Sequence, residues 1–170
     1  MFTSRFFLAA AAALLLVTGC GQQDAEQPAA DEPAAAMPAS DEAAPEQPAS
    51  MPRTPSPEGA RVFFITPTDG ETVSNPVKIE FGIEGMDVVP AGVNEMNSGH
   101  HHLIIDADLP ENLGMPIPAD ANHIHFGDGS TSTEVTLEPG QHTLQLLLGD
   151  HLHVPHDPPV YSRKITIYVK

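Results

Sequence analysis

All nine histidines of this 170-residue chain fall between positions 100 and 156. They occur as His100-His101-His102, as His123 and His125, as His142 alone, and as His151, His153 and His156. On a β-strand, side chains at i and i+2 share a face. His100 with His102, and His123 with His125, therefore each present two imidazoles to one side, while His101 points the other way. Residues 151–159, HLHVPHDPP, have loop chemistry, and their prolines limit how far the backbone wanders. Convergence of these three segments surrounds a small volume with imidazoles. Neutral imidazole is the commonest metal ligand and suits zinc, copper, nickel and iron. The ligand candidates are His100, His102, His123, His125, His153 and His156. His101, His151, Asp106 and Asp157 are expected to act as weaker ligands or to hold an imidazole in its tautomer.

Other readings compete at individual positions. His142 is in phase with Leu144, Leu146 and Leu148, which marks a hydrogen-bonded core or edge histidine. His101 reads equally as the solvent-side partner of a ligand strand. Met86, Met96 and Met115 flank the histidine segments, and thioethers favour Cu(I), yet methionine more often fills gaps in a core. The whole set can also be read as an imidazole network without an ion, or as a switch charging near pH 6.

Short strands must position these residues. Val77, Ile79, Phe81 and Ile83 alternate with Lys78, Glu80, Gly82 and Glu84, the period of a half-buried strand. Residues 61–66, 100–106, 122–126, 131–137, 141–148 and 162–169 read as further strands, with turn chemistry at Pro67-Thr68-Asp69-Gly70 and Glu138-Pro139-Gly140-Gln141. No long window holds a 3.6-residue apolar period. The expected fold is all-β, an antiparallel immunoglobulin-like sandwich of about seven strands spanning residues 59–170.

Residues 1–19 read as a lipoprotein signal peptide. Arg5 precedes an apolar run from Phe6 to Val17, too short for a comfortable membrane span. Leu16-Val17-Thr18-Gly19-Cys20 resembles the bacterial lipobox, which makes Cys20 the lipidation site and the chain membrane-anchored, facing the periplasm from the outer membrane. Residues 21–58 hold eight Pro, ten Ala and eight acidic residues in 38 positions, a composition that predicts a disordered tether from Cys20 to residue 58. The chain carries 23 acidic against 7 basic residues, which excludes nucleic acid as a partner. One Cys excludes a disulfide framework and Cys-based zinc motifs.

Gly99-His100-His101-His102-Leu103-Ile104-Ile105-Asp106, His123-Ile124-His125-Phe126-Gly127, the segment from Pro139 through Leu146, and Gly149 through Val160 together resemble the bacterial family called domain of unknown function 4399. The resemblance implies an exported protein and a sandwich fold, and brings no settled activity. The function expected from the residues is that of a non-enzymatic envelope metal-binding protein. Copper is the first choice because Cu(II) tops the affinity order for nitrogen sites, zinc is the second, and no organic cofactor is expected. The alternative is a structural or partner-binding immunoglobulin-like module, touching another envelope protein or the cell wall, whose histidines form a hydrogen-bond network. A small metal enzyme is a third reading. It is disfavoured because H-E-x-x-H and G-x-S-x-G are missing and an acylated Cys20 precludes an N-terminal histidine brace.

Overall fold

Alternating apolar residues and turn punctuation fold this chain into nine strands, in a computed structural model that describes residues 49–170. These are β1 (Arg61–Thr66), β2 (Thr72–Val73), β3 (Val77–Glu84), β4 (Asp87–Val88), β5 (Ser98–Ile105), β6 (His123–His125), β7 (Ser132–Val135), β8 (Gly140–Gly149) and β9 (Ile165–Val169). The expected signal peptide, Cys20 and the tether as far as residue 48 lie outside the described residues. All seven expected strands form, with two further strands of two residues each, too short to show a period. Among the described residues no helix interrupts them, so the fold is all-β.

The strands make two sheets. One has the order β1-β3-β7, antiparallel throughout; the other runs β2-β9-β8-β5-β4, with β6 also paired to β5. The long ladders are antiparallel, and only the two-residue strands β2 and β4 pair in parallel. Between the sheets lies the main core. Val77, Ile79 and Phe81 of β3 pack there with Leu103 of β5, Leu144, Leu146 and Leu148 of β8, and Ile165 and Ile167 of β9. Each such side chain contributes ~1.5–3 kcal/mol by leaving water.

β5 decides where the site can be. All eight of its residues are buried, so this strand has no solvent face. Its odd positions, His101, Leu103 and Ile105, look into the sandwich, where the His101 ring meets Phe81 edge-on at 4.7 Å between centroids. Ile104, of the even set that includes His100 and His102, packs with Leu147 and Ile117 in a second small core under the loop from β5 to β6. The expectation of a solvent-side His101 is thereby corrected: with both faces of the sheet covered, alternation separates two interiors. Met86 is in the main core and Met96 is exposed on the surface.

The boundary expected at residue 59 also moves. Residues 51–57 lie on the domain as an ordered strap. Met51 N–H donates to the Gly114 carbonyl at 2.7 Å, and Pro55 bridges Asp157 in parallel. Composition predicted disorder because the segment offers too little apolar surface to offset its ordering entropy, but its attachment is by hydrogen bonds to distant loops.

At the far end of β5, Asp106 accepts from His142 Nδ1–H at 2.6 Å and from Thr143 N–H at 2.8 Å, while His142 Nε2–H donates to the Glu138 carbonyl at 2.8 Å. Both partners are acceptors, which favours the form with both ring nitrogens protonated, and the hydrogen bond to Asp106 raises the pKa of this imidazole. A raised histidine pKa stabilises the fold below the ordinary value and loses that contribution as pH rises past the folded value. His142→Gln is therefore expected to lower stability by ~1 kcal/mol at pH 5.5 and by much less at pH 9. Urea titrations at both pH values check this, and an equal loss at both would refute the cationic assignment.

Candidate metal centre

Register brings the imidazoles together. In the β5–β6 ladder His102 stands opposite His125 and Ile104 opposite His123, so His123 and His125 share the face of His100 and His102. The loop after β8 adds His153. Four rings, those of His100, His102, His125 and His153, touch in all six pairs, with centroids 4.7 to 5.9 Å apart. A tetrahedral ion ~2.0 Å from each nitrogen would hold four ring centroids ~5 Å apart, so the spacing fits an ion at the centre. Nitrogens of His100, His102 and His125 lie within 4.8 Å of one another, a set that His153 does not join as placed, so its ring must turn to supply a fourth nitrogen.

The buried members carry free lone pairs. Neither nitrogen of His100, nor Nδ1 of His102, has a hydrogen-bond partner among the described residues, although both side chains are fully buried. An unpartnered buried polar nitrogen is costly, and a cation would satisfy the lone-pair nitrogen of each ring. Burial, followed by repulsion from His153 and His125, lowers His100 to about 4; burial, followed by repulsion from His100 and His125, lowers His102 to about 2. Both rings are neutral at pH 7, as ligands must be. His125 is also lowered, by burial first and His153 second, although its side chain is exposed at the rim.

Local structure aims the other rings. The His123 Nδ1–H donates to Asp120 at 2.7 Å, which leaves Nε2 as the free, buried nitrogen on the side of His102. That is the carboxylate–histidine arrangement that orients metal ligands. His153 is held at φ 66°, a left-handed backbone that a β-carbon disfavours. The turn built on Asp150 imposes it: this carboxylate accepts from Leu152 N–H at 2.8 Å and Val154 N–H at 3.0 Å, and the Asp150 carbonyl accepts from His153 N–H at 2.9 Å. Burial opposes the charge on Asp150, but hydrogen bonds from Thr54, Leu152 and Val154 outweigh it and keep the carboxyl below its usual range. Two glycines make room. A β-carbon on Gly127 would lie 2.4 Å from the His125 ring, and one on Gly149 would lie 2.9 Å from the His102 ring.

Of the six candidate ligands, four form the cluster and His123 adjoins it. His156 does not join. It is buried, its Nε2–H donates to the Ser98 carbonyl at 3.1 Å, and its ring carbon packs where a Gly99 side chain would stand. The supporting roles shift as well. His101 is inside the sandwich, Asp106 serves His142, and Asp157 is solvent-exposed and paired with Arg53. His151 adjoins Asp150 at the edge of the loop. Sequence reading missed Asp120 and Asp150, although Asp-Ala-Asn-His and Gly-Asp-His-Leu both carry the signal of an aspartate folding back onto backbone two residues on.

No curated protein matches the chain. The family model described as Domain of unknown function (DUF4399) matches residues 79–170, which takes in every histidine and the strands from within β3 to β9. With 92 of 170 residues matched, the chain belongs to that family.

Proposed function

We propose that this chain is a non-enzymatic metal-binding protein of the bacterial envelope, lipid-anchored through Cys20, which holds Cu(II) between His100, His102, His125 and His153. The observation that carries this reading is the four-ring cluster whose two inner members have buried nitrogens without partners. A hydrogen-bonded imidazole framework, the structural alternative, would pair those nitrogens, and His100 pairs with nothing among the described residues. An all-imidazole donor set favours copper on affinity, and zinc is the competitor that a tetrahedral shape favours. With His153 turned in as the fourth ligand, the shell is filled and leaves no position for a substrate, in keeping with storage or carriage rather than catalysis. The inner pair is fixed in a β-ladder, whereas His125 ends a three-residue strand and His153 is on a loop, so the ion has an exposed side for exchange. An acidic chain concentrates cations near that rim.

The test is copper and zinc titration of the untagged, chelator-treated full chain in detergent, with bound metal counted by mass spectrometry. One copper per chain is expected. The double variant His125→Ala/His153→Ala, which spares the buried rings, is expected to bind at least ~100-fold more weakly while its metal-free melting temperature stays put. Equal affinity in that variant would overturn the site; no copper or zinc bound to the parent would overturn the function.

A further inference from the structure

The loop that carries His153 is fastened by residues that lie far away in the chain and outside the segment matched by the family. Arg53 reaches over it: Nε donates to the Pro155 carbonyl at 2.9 Å, Nη2 donates to the His156 carbonyl, and Nη1 meets the Asp157 carboxylate at 3.4 Å. Next to it, Thr54 Oγ1–H donates to Asp150 Oδ2 at 2.5 Å. Backbone bonds continue the seam, with Asp157 N–H to the Thr54 carbonyl at 2.9 Å, Ser56 N–H to the Asp157 carbonyl at 3.1 Å, and the Ser56 hydroxyl to the Pro158 carbonyl at 2.7 Å. From the other side, Ile117 N–H donates to the His153 carbonyl at 2.9 Å.

Asp150 is the hinge of this arrangement. One of its carboxylate oxygens organises the turn that forces His153 into the left-handed region, and its other oxygen is held by Thr54. A residue in that region persists only where its surroundings over-determine it. Without the strap, Asp150 keeps its turn bonds but loses the outer restraint on their position, and the fourth imidazole then has more freedom to lose when a metal binds. Preorganisation of this kind is expressed as affinity.

We infer that Arg53 and Thr54 are positioning residues of the metal centre, and that residues 51–57 and the metal are coupled: the strap raises metal affinity by holding His153 in place, and a bound metal holds the strap down. This inference rests on the metal-binding reading above. The coupling is reciprocal by thermodynamic necessity, so both directions can be measured. It also gives the strap a purpose that composition conceals, since the segment through which the domain joins the preceding chain then senses whether the site is loaded.

The experiment uses the full chain and Cu²⁺ alone as the probe. Thr54→Val removes the hydroxyl at nearly constant shape, and Arg53→Met removes the guanidinium while keeping the stem; each is expected to weaken copper binding ~10-fold, and the pair more. Thr54→Ser is expected to restore parental affinity, which a general loss of packing would not allow. In the parent, copper is expected to slow hydrogen exchange at the amides of Ser56 and Asp157, and in His153→Ala it is expected to leave them unchanged. Parental copper affinity in both single variants, or exchange at Ser56 and Asp157 that ignores copper in the parent, would overturn the coupling while leaving the metal centre standing. A parent that binds no copper overturns both. Should one single variant fail to fold, the other variant and the exchange measurement still decide.

Discussion

Metal-free protein is expected to lose stability steeply as pH falls from 6.5 to 4.5. His100 and His101 titrate at about 4 in the folded state, and His102 at about 2, all brought down from 6.5 mainly by burial. A histidine whose folded pKa is depressed leaves the fold undisturbed above 6.5. Below that value the unfolded chain takes up a proton that the folded chain refuses, and stability drains away until the folded pKa is reached. Each ring removes up to ~1.4 kcal/mol per pH unit in that window, so three rings acting together remove up to ~4 kcal/mol per unit. Against the ~5–15 kcal/mol that holds a typical domain together, an acid transition near pH 5 follows. His142, whose pKa is raised, acts in the opposite direction and is too small to offset three rings. Copper at 100 times its dissociation constant adds ~2.7 kcal/mol and, at ~4 kcal/mol per pH unit, should carry the transition about two-thirds of a pH unit lower. Circular dichroism melts from pH 7.5 to 4.5, with and without copper, test this. A melting temperature that holds level across that range would mean that these rings are not desolvated as described.

The face assignment on β5 was legible in the sequence because strand alternation depends on nothing beyond the strand. His100 and His102 on one side, with His101 on the other, needed only period 2. That His125 would stand against His102 was not legible, since register is set by pairing between segments some twenty residues apart. The role of His101 was misread for a related reason. Alternation reveals two faces, but only the covering loops and the second sheet reveal that neither faces water. Asp106 and Asp157 were placed near the histidines by proximity along the chain. Both are drawn off by partners distant in sequence, His142 at 36 residues and Arg53 at 104. The strap escaped detection most completely. Pro-Arg-Thr-Pro-Ser-Pro has the composition of a spacer, and what orders it is a seam of hydrogen bonds to a loop about a hundred residues later.

His101 offers the sharpest contrast with its neighbours on the strand. Its ring is fully buried, and neither nitrogen has a partner among the described residues, as with His100. The difference lies in what surrounds it. His100 faces three other imidazoles, whereas His101 faces Phe81 in the apolar core, with no second imidazole beside it. Its two polar atoms are a net loss: each unsatisfied buried group costs ~1–3 kcal/mol, and the edge-on contact with Phe81 returns ~0.5–1.5 kcal/mol. His101→Leu, close to the same volume, is therefore expected to stabilise the domain by ~1–2 kcal/mol and raise its melting temperature by several degrees. Copper affinity should not change. His102→Leu, one residue along and on the opposite face, should abolish copper binding. Calorimetry and metal titration of the two variants side by side separate the two faces of one strand. Loss of copper in His101→Leu would show that this imidazole serves the site and that the inner face of β5 is part of it, and loss of stability would show that its nitrogens are not a net cost.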